Sequence, residues 1–292
     1  MRPAAFEYVA PHSIEEALAA LQQSMPDGRI LAGGQSLMPL LNLRLTKPKT
    51  LVDLNGISGL DGVRETAEGL SIGAMTRQSS VERASGVRER CPILAEAIRH
   101  IGHVAIRHRG TIGGSLVHAD PAAELPAVAL ALDAKFEVAR DGIDRTIPAE
   151  EFFIDYLTTA LAPDEILRKI VFPIIRPSSG YALEEVTRRH GDFAIAGVVA
   201  IVELDDAGKI ADARLALFGM APTAVRARKA ERALIGREPN DDAMLDAAAL
   251  VENVLDPPGD IHASSAYRKH VAAVLTARAL KRAVQVCRDR RL

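Results

Sequence analysis

Apolar residues first recur at helical spacing. Ile14, Ala17, Leu18 and Leu21 fall at i, i+3, i+4 and i+7 and share one face of a helix. Ser13 is its expected N-cap, and Glu16 completes a capping box. Residues 29–32 then read as a short strand. Residues 37–45 are leucine-rich and begin as a turn of helix that tolerates Pro39 near its start. Residues 50–54 read as a buried strand, so strand, helix and strand make a small α/β unit ending near residue 57.

The next stretch mixes strands and helices around an expected antiparallel sheet. Residues 70–74 predict a strand, with Thr76 as the cap of the following helix. Pro92 sits where a first helical turn accepts proline. Leu94, Ala97, Ile98 and Ile101 continue an apolar face that Gly102 stops. Residues 135–139 and 144–147 flank Asp141-Gly142 as a hairpin. Residues 165–172 are a strand closed by Pro173. Pro173, Pro177, Ser178, Ser179 and Gly180 form a linker.

Beyond the linker come strands at 181–188, 194–204 and 210–219, the last two joined by the turn 205–208. Helices follow at 222–235, 241–255 and 264–288; in the last, Tyr267, Val271, Val274 and Leu275 share a face. Strands followed by helices predict an α+β domain. The expected units are 1–57, 58–176 and 177–292.

Composition narrows the function classes. With 48% hydrophobic and 25% charged residues, the 292-residue chain has the balance of a soluble globular protein. A net charge of −2 shows no electrostatic footprint for nucleic acid. Four per cent aromatics and no Trp argue against a base-stacking surface. No apolar run approaches the ~20 residues that cross a bilayer. Residues 1–11 lack the apolar core of a signal peptide. Cys91 and Cys287 are the only cysteines, too few for a Cys-ligated iron–sulfur cluster or a disulfide framework. They read as reduced thiols of a cytoplasmic protein.

Two glycine pairs carry the candidate chemistry: Ala32-Gly33-Gly34-Gln35-Ser36-Leu37 and Thr111-Ile112-Gly113-Gly114-Ser115. Glycine reaches positive φ, so each pair can turn consecutive amides into one anion-binding concavity. Hydroxyls of Ser36, Thr111 and Ser115 add donors. Two such segments suggest a cofactor with two phosphates. Neither is a G-x-G-x-x-G fingerprint or a Walker A, so the phosphate is bound rather than transferred. Arg107 and Arg109 are candidates to neutralise it, or else lie on a solvated strand face. Asp120 and Glu124 are candidate partners for ribose or adenine, or else carboxylates at a helix N-terminus. His100, His103, His108 and His118 lack a companion set at metal-ligand spacing. No Gly-x-Ser-x-Gly elbow appears.

The resemblance to a known family is specific. Ala32-Gly33-Gly34-Gln35-Ser36-Leu37, with Pro39-Leu40-Leu41, Arg44-Leu45 and Leu51-Val52-Asp53-Leu54 after it, resembles the FAD-binding medium subunit of molybdenum hydroxylases. Arg107 to Ser115 and then His118-Ala119-Asp120-Pro121-Ala122-Ala123-Glu124-Leu125-Pro126 resemble its second signature. The segments 70–76, 188–194 and 260–268 are also similar, so the resemblance runs through nearly the whole chain, to the carbon monoxide dehydrogenase medium chain and the xanthine dehydrogenase flavin domain.

It implies an α+β fold: a two-subdomain FAD-binding region of the PCMH type, then a C-terminal domain of a three-stranded antiparallel sheet plus helix bundle. It implies non-covalent FAD held by Ala32, Gly33, Gly34, Gln35, Ser36, Leu37, Thr111, Ile112, Gly113, Gly114 and Ser115. Asp120 and Glu124 would lie near the flavin or its ribityl chain, Phe193 near the isoalloxazine, and Leu167 at an apolar contact. Glu184 stands where xanthine dehydrogenase has a lysine near the flavin, which speaks against a nicotinamide acceptor site of that type.

The implied function is electron exit from a heteromeric oxidoreductase. A large subunit holds the molybdopterin cofactor, a small one holds two [2Fe–2S] clusters, and the complex is a dimer of heterotrimers. No catalytic dyad is expected in this chain, because the cofactor carries the chemistry. Two other readings are a free-standing FAD-dependent oxidase or reductase with its own pocket, and a nucleotide-binding module without redox activity.

Overall fold

A computed structural model describes residues 2–291; Met1 and Leu292, the outer ends of the first and third expected units, lie outside the described residues. Strands β1 (Glu7–Val9), β2 (Gly28–Leu31) and β3 (Thr50–Asp53) form a parallel sheet in the order β1-β3-β2. Helix α1 (Ile14–Gln23) starts as its sequence predicts: the Ser13 hydroxyl accepts from the Glu16 amide at 3.1 Å. The Glu16 carboxylate reaches back one residue further than a capping box does, to the His12 amide at 2.8 Å. Ala17 and Leu21 bury the apolar face of α1 in one cluster with Val52 and Leu54. Helix α2 (Leu37–Asn42) follows the first glycine pair. Strand β1 has only three residues, too few to show an alternation.

A five-stranded antiparallel sheet follows. It runs β4-β5-β10-β6-β7, from β4 (Val63–Thr66), β5 (Gly69–Gly73), β6 (Lys135–Arg140), β7 (Ile143–Pro148) and β10 (Ile166–Phe172). The Asp141-Gly142 hairpin forms, with Gly142 at φ +69°. Between β5 and β6 lie helices α3 (Gln78–Arg83), α4 (Ser85–Arg90), α5 (Pro92–His100), α6 (Val104–Arg109), α7 (Ile112–His118) and α8 (Glu124–Ala131). The short α9 (Ala149–Phe152) and the hairpin of β8 (Phe153–Asp155) and β9 (Thr158–Thr159) precede β10. Thr76 is not a helix cap. Its hydroxyl donates to the Gly73 carbonyl at 2.7 Å and accepts from the Gly62 amide at 2.9 Å, so the helix starts two residues later.

The C-terminal sheet holds β11 (Gly180–Val186), β12 (Ala196–Leu204), β13 (Ile210–Phe218) and β14 (Val225–Arg226) in that order, all antiparallel. The three expected strands are joined by the two-residue β14, so the helix expected over 222–235 begins only at α10 (Arg228–Leu234). Helices α11 (Asp241–Val254) and α12 (Ser265–Asp289) complete the chain.

Both faces of β12 are covered. Val199 and Ile201 pack with the second sheet and helices α5 and α8, while Val198, Ala200 and Val202 pack with α10 to α12. Two-sided burial explains the unbroken apolar run of this strand. On α12 the buried stripe takes Val271, Ala272, Leu275 and Ala279 and leaves Tyr267 and Val274 exposed, so the contact face is turned from the expected one. A buried ion pair ties β14 to α10, where Arg226 contacts Glu231 at 2.6 Å, and its other arm donates to the Leu130 carbonyl of α8 at 2.7 Å.

Candidate cofactor site

The first glycine segment leaves β2 and bends into α2. Gly34 has φ +72°, a conformation that costs an L-residue strain. Among the described residues, the amides of Gly33, Gly34, Gln35 and Ser36 have no protein acceptor. The Ser36 hydroxyl precedes α2 without making a cap bond. This open bend borders a cleft of about 410 Å³, whose walls include Met38, Asp53, Asn55 and Arg109. Arg109 is exposed and has no carboxylate within ion-pair distance among the described residues.

The second segment does not form the expected amide nest. Thr111 is the N-cap of α7, and both glycines lie inside that helix without positive φ. The amides from Ile112 to Ser115 are spent. Ile112 donates to Thr76 at 3.0 Å, Gly113 to Ala74 at 2.8 Å and Ser115 to Thr111 at 3.2 Å, while Gly114 donates to the Thr111 hydroxyl at 3.0 Å. Glycine is needed here for room: a Cβ on Gly113 would lie 2.6 Å from both the Cβ and the carbonyl oxygen of Ala74. Among the described residues, the Thr111 amide and the Ser115 hydroxyl keep their hydrogen-bonding capacity. The fold does bring the two segments together. A Cβ on Gly33 would lie 2.5 Å from the Arg109 carbonyl oxygen, and one on Gly114 would lie 3.4 Å from Ala32.

The remaining candidates separate. Arg107 is buried on α6 and engaged by Glu82 at 3.3 Å and the Ile101 carbonyl at 3.1 Å, so neither a phosphate role nor a solvated strand face describes it. The Asp120 carboxylate accepts from the Ala122 amide at 2.9 Å. Glu124 is buried as the first residue of α8, where a carboxylate suits the helix dipole. Burial pushes its pKa up to about 8, with Glu185 and Asp120 adding to the rise. His100 pairs with Glu185 at 2.9 Å, and that contact raises the imidazole pKa. Leu167 is buried in the core and Phe193 is exposed; neither lines the cleft. Glu184 is held by Arg282 at 3.2 Å. Burial pushes the Cys91 thiol up to about 12. Met38 and Asn55 line the cleft without having carried any sequence signal, because isolated polar and apolar residues outside a motif mark nothing; Asp53 stood only within the resemblance of residues 51–54.

An open set of amides beside an unpaired guanidinium suits a diphosphate. Family comparison agrees. Residues 4–175 match the family described as the FAD binding domain in molybdopterin dehydrogenase. Residues 181–283 match the CO dehydrogenase flavoprotein C-terminal domain. The chain belongs to the FAD-binding medium subunits of the molybdenum hydroxylases.

Relatives of this medium subunit cover it almost end to end. The 6-hydroxypseudooxynicotine dehydrogenase complex subunit alpha of Paenarthrobacter nicotinovorans is 40% identical, over 99% of this chain and 97% of its own. The caffeine dehydrogenase subunit beta of a Pseudomonas species is 40% identical, over 97% and 96%. The solved carbon monoxide dehydrogenase of Hydrogenophaga pseudoflava has a chain that superimposes with a TM-score of 0.96 at 37% identity, over 98% of this chain and 100% of that one. The medium subunit is therefore an α+β FAD-binding oxidoreductase subunit of a multi-subunit hydroxylase. Among the described residues no helix is long and apolar enough to cross a membrane.

Proposed function

We propose that this subunit is the electron exit of its complex. FAD, held non-covalently, supplies the redox chemistry that links the [2Fe–2S] clusters of a partner subunit to an external acceptor. The first segment binds the diphosphate through the amides of Gly33, Gly34, Gln35 and Ser36, with Ala32 and Leu37 setting the bend. Arg109 supplies the balancing charge. Thr111, Ile112, Gly113, Gly114 and Ser115 form the facing wall, where the Thr111 amide and the Ser115 hydroxyl are the free donors. Asp120 and Glu124 are polar contacts further along the cofactor; Glu124 keeps its proton at neutral pH and can donate. Leu167 and Phe193 are apolar and aromatic contacts.

The partners in this reading are a small [2Fe–2S] subunit and a large molybdopterin subunit, in a cytoplasmic dimer of heterotrimers. The substrate pocket belongs to the large subunit. We divide the chain at 1–57, 58–176 and 177–292, which keeps each sheet within one unit. The carrying observation is the unpaired amide bend opposite Arg109 in the cleft.

The test is the absorption spectrum of the purified chain, followed by denaturation and identification of the released chromophore. Released FAD and co-purifying partner subunits support the reading. A colourless chain that takes up no added FAD removes it. Gly114→Val, whose side chain would meet Thr111 and Ala32, is expected to abolish flavin retention; a variant with full flavin overturns the placement of the second segment.

A further inference from the structure

Behind the cleft runs a continuous chain of polar side chains. The Tyr8 hydroxyl on β1 donates to Asp53 Oδ2 at 2.5 Å. Asp53 ends β3, and its Oδ1 accepts from the Asn55 backbone amide at 2.9 Å and from Asn55 Nδ2 at 2.5 Å. Asn55 Nδ2 also donates to the Ala32 carbonyl at 2.9 Å. Asn55 Oδ1 accepts from Arg77 Nη2 at 2.6 Å, and Arg77 Nη1 donates to the Arg109 carbonyl at 2.5 Å. The chain therefore touches the first glycine segment at Ala32 and ends two residues before Thr111.

Three features give this arrangement a purpose. The Arg109 carbonyl is the atom that a Cβ on Gly33 would strike at 2.5 Å, so Arg77 grips the point where the two segments meet. Arg77 also bridges directly to the second segment, opposite Thr111: Gln78 donates to Gly110 at 2.9 Å, and Ile112 donates to Thr76 at 3.0 Å. Finally, both amide hydrogens of Asn55 are consumed by the protein, so it lines the cleft with no donor left for a ligand. A planar guanidinium fork fixes direction as well as distance. Burial and the neighbouring Arg109 charge lower the Arg77 pKa, so two cations share this end of the cleft, with Asp53 opposing the shift.

We infer that Asn55 and Arg77 are positioning residues for the cofactor, locking the first glycine bend to the Arg109–Thr111 turn and so setting the width of the cleft. The inference rests on FAD occupying that cleft.

The flavin-free full-length chain is titrated with FAD, and the thermal midpoint of each flavin-free variant is recorded beside it. Asn55→Ala and Arg77→Met are each expected to weaken FAD binding about 10- to 100-fold, with midpoints close to the parent's. The double variant loses no more than the worse single one, because both break one relay. Arg77→Lys keeps the charge, loses the fork and binds as weakly as Arg77→Met. Additive losses, or parent-like binding by Arg77→Lys or Asn55→Ala, overturn the relay alone. If Arg77→Met does not fold, Arg77→Lys and Asn55→Ala decide the matter. A parent chain that takes up no FAD overturns the cofactor reading and the relay with it.

Discussion

Two glycine pairs that look alike as strings do opposite work in this fold. Gly33-Gly34 lies in a bend whose amides have no protein acceptor. Gly113-Gly114 lies inside a helix whose amides are all spent. In the first pair Gly34, at φ +72°, is glycine for direction, while Gly33 makes room for the Arg109 carbonyl. The second is glycine for room, pressed on Ala74. A Gly-Gly dipeptide does not by itself distinguish an anion nest from a close packing contact. What decides is where the surrounding carbonyls lie.

The largest effect expected from this contrast is at the packed pair. Gly113→Val puts a branched side chain where even a Cβ would lie 2.6 Å from Ala74. It should destabilise the flavin-free chain by about 3 kcal/mol in urea unfolding; a parent-like midpoint breaks the packing assignment.

Titration separates the segments next. The first bend holds no ionisable side chain, whereas the second leads into Glu124, beside His100 and Glu185. The folded chain holds the Glu124 proton up to about pH 8, against 4.5 for an ordinary glutamate. Between those values the native state binds the extra proton, so stability should fall as pH rises, by about 1.4 kcal/mol per pH unit. His100, also raised, loses its contribution in the same direction as pH climbs from 6.5 through its folded pKa. Urea midpoints across pH 5 to 9 measure the slope, and Glu124→Gln should flatten it. A Glu124→Gln chain with the parent's slope rules out Glu124 as its source.

Gly34→Ala should cost about 1–2 kcal/mol through left-handed strain and weaken FAD more than that loss implies. Equal FAD affinity would show that the bend tolerates a Cβ and does not approach the cofactor. Thr111→Val removes the acceptor of the Gly114 amide and should cost about 1 kcal/mol, seen as a lower thermal midpoint without flavin. Ser36→Ala is the smallest: stability within about 0.5 kcal/mol, with FAD binding weakened a few-fold. A larger stability loss would mean that the Ser36 hydroxyl serves the fold after all.

Much of the scaffold was legible. Helix α1 announced itself through period and cap, the β6–β7 hairpin through Asp141-Gly142, and β12 through its apolar run. The short pieces were not. Helices α3, α4 and α6 have six residues each, too short to display a period. Strand β14 has two residues and is strand only because β13 lies beside it. Arg107 shows the same limit at the site, since its basic character gave no sign that Glu82 would bury it.

The sequence by itself determined the family, the α+β class and the two glycine segments that the fold brings together, because those are written in contiguous residues. Tertiary structure decided which segment keeps free amides, and it assembled Tyr8, Asp53, Asn55 and Arg77 into one relay. Neighbouring links of that relay lie 45, 2 and 22 residues apart in sequence. The reason is physical. Hydrogen bonds between distant residues are chosen by packing geometry, and no local pattern of side chains encodes which donor will find which acceptor.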